Sequence, residues 1–359
     1  MKRLVILILI SFLARCSDAQ QFSGYPYWKY QTDSRIESFQ LLNDSIAVGS
    51  EDGSLYVLDI NGDLKWKYNI NSSVKSLSLA ENSIALGTLN NKIYLFNNSG
   101  HLQWYRYVSD YTGYDRALYN NDKYIVVGLM SGDILLFDKY GNRQWVHSIP
   151  SYVTETRIVN DTVIVVSDRN IYISDISGKS KKEIALNSYV RSSCISDNYI
   201  ALGLGDNKLY FYDITGNLLW IYEIGNQIGL PYISDKYLAV GSKDNYVYIF
   251  DTDGKLRWKY NINASVISIS ISDTNAVLSS LDENFYLFSL DGKMKWRFKS
   301  NGRIIRSYIT DTYILGGSTT GYVYYFKIAQ RDIKTSLTVA IIMILIIVLA
   351  TVMFFKSWR

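Results

Sequence analysis

Ile46-Ala47-Val48-Gly49-Ser50-Glu51-Asp52-Gly53-Ser54-Leu55-Tyr56-Val57-Leu58-Asp59, running on through Ile60-Asn61-Gly62-Asp63-Leu64-Lys65-Trp66-Lys67-Tyr68, decides the fold. It holds short runs of β-branched and aromatic residues cut by Asp52-Gly53 and Asn61-Gly62. Asn, Asp and Gly tolerate the positive φ that tight hairpins need. With the run before Asn43-Asp44, the phrase predicts four short strands, over residues 35–42, 46–49, 55–59 and 64–68.

The phrase recurs along the chain. The equivalents of Gly49 are Gly87, Gly128, Val166, Gly203, Gly241, Ser279 and Gly317, at steps of 38, 41, 38, 37, 38, 38 and 38 residues. The Asp59/Gly62 turn returns at Asp138/Gly141, Asp175/Gly178, Asp213/Gly216 and Asp251/Gly254, with Asn97/Gly100 and Ser289/Gly292 as variants. Tryptophan follows each turn except once, where Lys182 stands in its place. Four antiparallel strands in about 38 residues is the size of one β-propeller blade. The fold class is therefore all-β: an eight-bladed propeller of four-stranded antiparallel blades. The last copy stops at Lys327 without its tryptophan strand, and Trp28-Lys29-Tyr30 lies 38 residues before Trp66. The N-terminal strand is expected to complete the last blade and leave no open edge.

The two ends read as addressing segments. Residues 1–19 combine Lys2 and Arg3 with an apolar run and small residues near Ala19, the pattern of a signal peptide. Residues 20–328 form the propeller and 329–334 a short linker. Residues 335–355 hold no charged residue over 21 positions, enough for one transmembrane helix, and 356–359 form a cytoplasmic tail. The expected location is the plasma membrane, single-pass, with the propeller outside.

Composition narrows the function. The formal net charge is +4, but residues 20–355 hold 32 basic and 32 acidic side chains. A neutral body without a basic stripe argues against nucleic acid as partner. His101 and His147 lie far apart and make no metal motif of familiar spacing. Cys194 is the one cysteine outside the leader, so an intrachain disulfide is not expected, and it reads as a small buried hydrophobe.

The pattern Gly-x-x-x-Gly-x-Leu-Tyr-x-Leu-Asp-x-x-Gly-x-x-x-Trp resembles the PQQ-type repeat of quinoprotein-dehydrogenase-like propellers, over residues 28–327. The resemblance implies blade-docking roles for Trp28, Trp66, Trp104, Trp145, Trp220, Trp258 and Trp296. Quinone-dependent members carry adjacent cysteines and a carboxylate/amide calcium site. This chain has no adjacent cysteines, so no cofactor is expected, and pyrroloquinoline quinone is disfavoured. The recurring turn aspartates read as Asx caps of the backbone. The chain is more similar to the non-enzymatic scaffold members, which include the propeller that helps assemble outer-membrane proteins. A membrane-anchored, non-catalytic scaffold that binds protein partners at the outer surface is the expected function. The alternatives are a quinone-dependent dehydrogenase-like enzyme and a glycan-binding surface propeller.

Departures from the repeat mark the candidate binding residues. A three-residue insertion falls within residues 104–116, which carry Tyr105, Tyr107, Tyr111 and Tyr114. It is either a partner-binding loop or a longer connection with ordinary packing. A column at the start of each first strand reads Glu37, Lys75, Arg116, Thr154, Arg191, Gly229, Ile267 and Ile305. Lys75, Arg116 and Arg191 there either receive an acidic group at the channel rim or pair with Glu37 and Glu155. Asn43, Asn71, Asn97, Asn160 and Asn263 each open an Asn-x-Ser/Thr triplet, as glycosylation acceptors or plain turn residues.

Overall fold

A computed structural model describes residues 24–328. Blade 1 comprises Ile36–Leu42, Ser45–Ser50, Ser54–Asp59 and Leu64–Asn69, in that spatial order from the channel outward. Blades 2 to 7 repeat it, with first strands at Val74–Leu79, Leu118–Asn120, Val153–Val159, Val190–Ile195, Tyr232–Ile233 and Val266–Ile271. In blade 8, Ile304–Ile309, Tyr313–Ser318 and Tyr322–Lys327 are completed by Trp28–Gln31. The closing register sets Trp28 against Tyr325 and Gln31 against Tyr322. The eight-bladed ring and its closure are as the repeat predicts. The segments read from the sequence as a signal peptide, linker, transmembrane helix and tail lie outside the described residues.

Burial follows the strand order. Second and third strands are almost wholly buried: Ile46, Ala47, Val48, Leu55 and Leu58 are inaccessible. Fourth strands alternate between half-buried and exposed residues, as rim strands should. Core clusters join neighbouring blades: Ala47, Leu55 and Val57 of blade 1 pack with Val74, Leu86 and Phe96 of blade 2. The Gly49 column permits this approach, since a Cβ on Gly49 would lie 2.5 Å from Val74 Cγ1 of the next blade.

The first strands share one irregularity. The register slips by a residue between Ile36 and Ser38, and at the equivalent place in blades 2, 4, 5, 7 and 8. Glu37, Lys75, Thr154, Arg191, Ile267 and Ile305 are the bulged residues. A bulge bends its strand and re-aims its side chain, and Glu37, Thr154, Arg191 and Ile305 all line the mouth of the central channel. This mouth opens on the face that carries the blade-to-blade loops, called here the crossover face. The turns between third and fourth strands lie on the opposite, hairpin face.

Candidate functional site: the charged central channel

The recurring polar groups of the repeat are used to build the ring. Asp59 Oδ1 accepts the backbone N–H of Asn61 and Asp63 at 2.8 and 3.0 Å. Asp138, Asp175 and Asp213 each accept two backbone N–H groups in the same way, Asp251 accepts that of Lys255, and Asn97 substitutes for an aspartate. The Ser177 hydroxyl first, and these backbone bonds with it, hold the Asp175 carboxyl below its ordinary value.

Six indoles dock on the next blade's turn. The Nε1–H groups of Trp28, Trp66, Trp104, Trp145, Trp220 and Trp258 donate to Ile60, Asn98, Lys139, Ile176, Thr252 and Leu290 carbonyls at 2.8 to 3.0 Å. Trp296 packs across a seam on Phe326, 4.8 Å between centroids. The turn glycine is required twice over: Gly100 has φ +83°, and a Cβ there would sit 2.7 Å from Trp66 Cδ2. Lys182 replaces the missing indole functionally, with Nζ donating to Gly216 O and Asn217 Oδ1, both at 2.9 Å.

The channel holds the remaining charge. Lys75 Nζ lies 3.2 Å from Glu37, which also meets Arg35 at 3.3 Å. Arg116 lies 3.7 Å from Glu155 and donates to the Ser193 carbonyl at 2.6 Å. Of the two readings of this cation column, internal pairing holds for Lys75 and Arg116. Arg191 is exposed, stacked 4.6 Å over the Tyr189 ring and bonded to its hydroxyl.

Two residues that the periodicity did not single out complete the channel. Arg306 reaches from blade 8 to Asp115 of blade 3, at 2.7 Å. Burial pushes the Asp115 carboxyl up, against the pull of Arg306 and Arg116. Arg306 stays charged, its burial being outweighed by Asp115 and Tyr308. Arg116 and Arg306 line both of the cavities that occupy the channel, about 240 Å³ at the crossover mouth and about 390 Å³ toward the hairpin face. A signal for Arg306 existed. It falls in a column that reads Ser38, Ser76, Ala117, Glu155, Ser192, Leu230, Ser268 and Arg306, in which Glu155 and Arg306 are the two charged members.

The insertion lies further along than its neighbouring aromatics. Tyr105 and Tyr107 sit on blade 2's regular fourth strand, Leu102–Tyr107, exposed at the rim with Lys92 over both rings at 5.2 and 4.7 Å. Thr112 is fully buried, bonded to Ser76 at 2.8 Å and packed on Gly87, as Val74 packs on Gly49. The extra residues are therefore Gly113, Tyr114 and Asp115, and they place Asp115 in the channel. Tyr111 is half-buried beside them, and Tyr114 lines the mouth. The four tyrosines do not form one patch.

The asparagines sit in turns. Asn43, Asn71, Asn160 and Asn263 are exposed with φ between 46° and 58°. Cys194 is buried, and burial pushes its thiol up. A second repeated device was not foreseen: the hydroxyls of Tyr56, Tyr210, Tyr248 and Tyr286 donate to Asp52, Asp206, Asp244 and Asp282, four residues earlier, at 2.6 to 2.8 Å. Among the described residues no three His, Cys, Asp or Glu side chains are grouped to hold a metal ion, and no helix is long and apolar enough to cross a membrane.

Solved structures share this architecture. The computationally designed protein Ika8 aligns at a TM-score of 0.76 with 18% identity, covering 83% of this chain and 98% of that one. BamB from Moraxella catarrhalis aligns at 0.71 with 16% identity, covering 86% and 98%. Sqt1 from Saccharomyces cerevisiae aligns at 0.75 with 12% identity, covering 85% and 99%. At such identities the likeness speaks for the fold alone. No curated protein matches the chain. The family model described as outer membrane protein assembly factor BamB matches residues 23–187 and 205–320. With both matched segments lying in the ring of PQQ-type repeats and together spanning most of the chain, the protein belongs to that β-propeller family.

Proposed function

We propose that the chain is a non-catalytic protein-interaction scaffold, anchored in the plasma membrane by residues 335–355 with its propeller outside. One observation carries the reading: the recurring polar side chains are turned inward, to turns, seams and channel ion pairs. What varies between blades is the surface they hold in place, and binding by such propellers is a matter of surface. Membership of a family described by an assembly factor supports protein as the partner class. The channel is poorly suited to a quinone and calcium. Its carboxylates Glu37, Asp115 and Glu155 each face a guanidinium or ammonium group, and its one cysteine, Cys194, is buried.

The test uses the full-length chain in its native membranes, with a photo-crosslinking residue at Tyr107 or Arg191 on the crossover face, or at Asn61 on the hairpin face. A discrete protein adduct from the first two sites and none from Asn61 supports the scaffold and its binding face. Dye-linked dehydrogenase activity on adding pyrroloquinoline quinone and calcium overturns the non-catalytic reading. Deleting residues 335–359 should release the chain into the medium; retention after a carbonate wash refutes the single anchor.

A further inference from the structure

We infer that the channel mouth on the crossover face is a binding site for a single saccharide ring. The inference is independent of the scaffold reading, since it concerns the recess within the ring. The mouth is a cavity of about 240 Å³, lined by Tyr114, Asp115, Arg116, Thr154, Arg191 and Ile305 among others. A liquid-like water occupies about 30 Å³, so the recess has room for roughly eight waters or one sugar ring.

Three features of the walls select the ligand. The first is a carboxylate acceptor at the mouth. The Asp115 side chain is 21% exposed, and its Oδ2 takes Arg306 at 2.7 Å with a lone pair to spare for a donor from the recess. The second is local charge. Glu37 and Asp115 line the mouth beside Arg116, Arg191 and Arg306. A further cation is not attracted to such a site, and a simple anion such as chloride or sulfate has no donor for Asp115. A hydroxyl serves both sides, donating to the carboxylate and accepting from a guanidinium, and vicinal hydroxyls do so in pairs. The third is an aromatic platform. Tyr114 is 40% exposed and stacks on Tyr152 at 5.6 Å with 21° between planes. Tyr152 is in turn held by its hydroxyl bond to Asp168 at 3.0 Å. A ring fixed from behind offers its other face to the C–H side of a sugar at little cost in conformational freedom. Arg191 is likewise pre-set by Tyr189.

The inserted residues explain why this mouth differs from a plain propeller channel. Gly113, Tyr114 and Asp115 are the three residues the other blades lack, and they supply the platform and the acceptor together.

The experiment is saturation-transfer NMR on the purified full-length chain, with glucose, N-acetylglucosamine and glucuronate offered separately. Saturation of ring protons of at least one probe is expected. Tyr114→Ala should weaken that binding roughly tenfold, the weight of one aromatic contact, while the lost stack on Tyr152 lowers the melting temperature by only about 2 °C. Arg191→Met should weaken it as well, and a preference for glucuronate would place a carboxylate against Arg191. No transfer to any of the three probes means that the recess holds water only and overturns the inference. Transfer that survives both substitutions unchanged overturns it too, because the sugar then binds elsewhere.

Discussion

Trp28→Ala tests ring closure. The indole donates to Ile60 O at 3.0 Å, lies parallel to Tyr325 at 5.2 Å with 1° between planes, and covers Gly62. Removing it forfeits about 1 kcal/mol of hydrogen bond and about 1 kcal/mol of stacking, besides part of its apolar burial. Full truncation of a buried Trp costs about 3–5 kcal/mol; Trp28 is only half-buried, so about 3 kcal/mol is expected. For about 300 cooperative residues the unfolding entropy is roughly 0.6 kcal/mol/K, which makes the fall in Tm about 5 °C. Trp66→Ala removes the same chemistry, an indole bond of 3.0 Å to Asn98 O, at a seam the chain itself crosses. The two variants should therefore melt alike yet differ in where they open. In Trp28→Ala the amides of Tyr322–Lys327 should lose hydrogen-exchange protection below the global unfolding energy, because among the described residues it is Trp28–Gln31 that pairs with them on that side. In Trp66→Ala they should not. Equal protection of that strand in both variants would refute closure by Trp28–Gln31.

Arg306→Met should cost about 3 kcal/mol, since it leaves Asp115 in the channel without its guanidinium, and adding Asp115→Asn should restore most of the loss in a thermal melt. Tyr286 has its hydroxyl pushed up to about 12, by burial first and by its bond to Asp282 second. Its folded value lies above the ordinary 10.0, so its contribution to stability is whole below about pH 10 and disappears as pH rises through 12. Ultraviolet difference titration should show a late-titrating phenol that Tyr286→Phe abolishes. Gly100→Ala combines positive φ with a collision against Trp66 and should destabilise by about 2 kcal/mol or more by denaturant melt, whereas Gly24→Ala, with nothing within 4 Å, meets the φ penalty alone.

The blades, their phase and their closure were legible because each rests on a local demand repeated at one spacing. Gly49 must admit Val74, Asp59 must cap a turn, and Trp66 must reach Asn98. Even the exception at Lys182 obeys the demand, with an ammonium donor replacing an indole N–H. Blade 6 was half legible. Pro231 has no N–H to give a ladder, and the first strand there shrinks to Tyr232–Ile233. The channel was much less legible. Asp115 and Arg306 come from blades three apart, and no periodicity connects them. The insertion was bracketed correctly but not placed, since only the packing of Thr112 on Gly87 shows on which side of it the extra residues fall. The channel cations were read with two outcomes open; the choice depended on distances to Glu37 and Glu155 that spacing does not supply.

The closing register also has a mechanical meaning. Trp28–Gln31 runs antiparallel to Tyr322–Lys327, with Trp28 opposite Tyr325. The described chain therefore enters and leaves the ring at the same end of one two-strand ladder. Tension applied between residues 24 and 328 would load that ladder in the unzipping direction, one pair of bonds at a time, and not in shear across all of them. Blade 8 is then the weak link under force, however stable the ring is to heat. Single-molecule pulling from those two points should yield a small first rupture confined to it, followed by the other blades in turn.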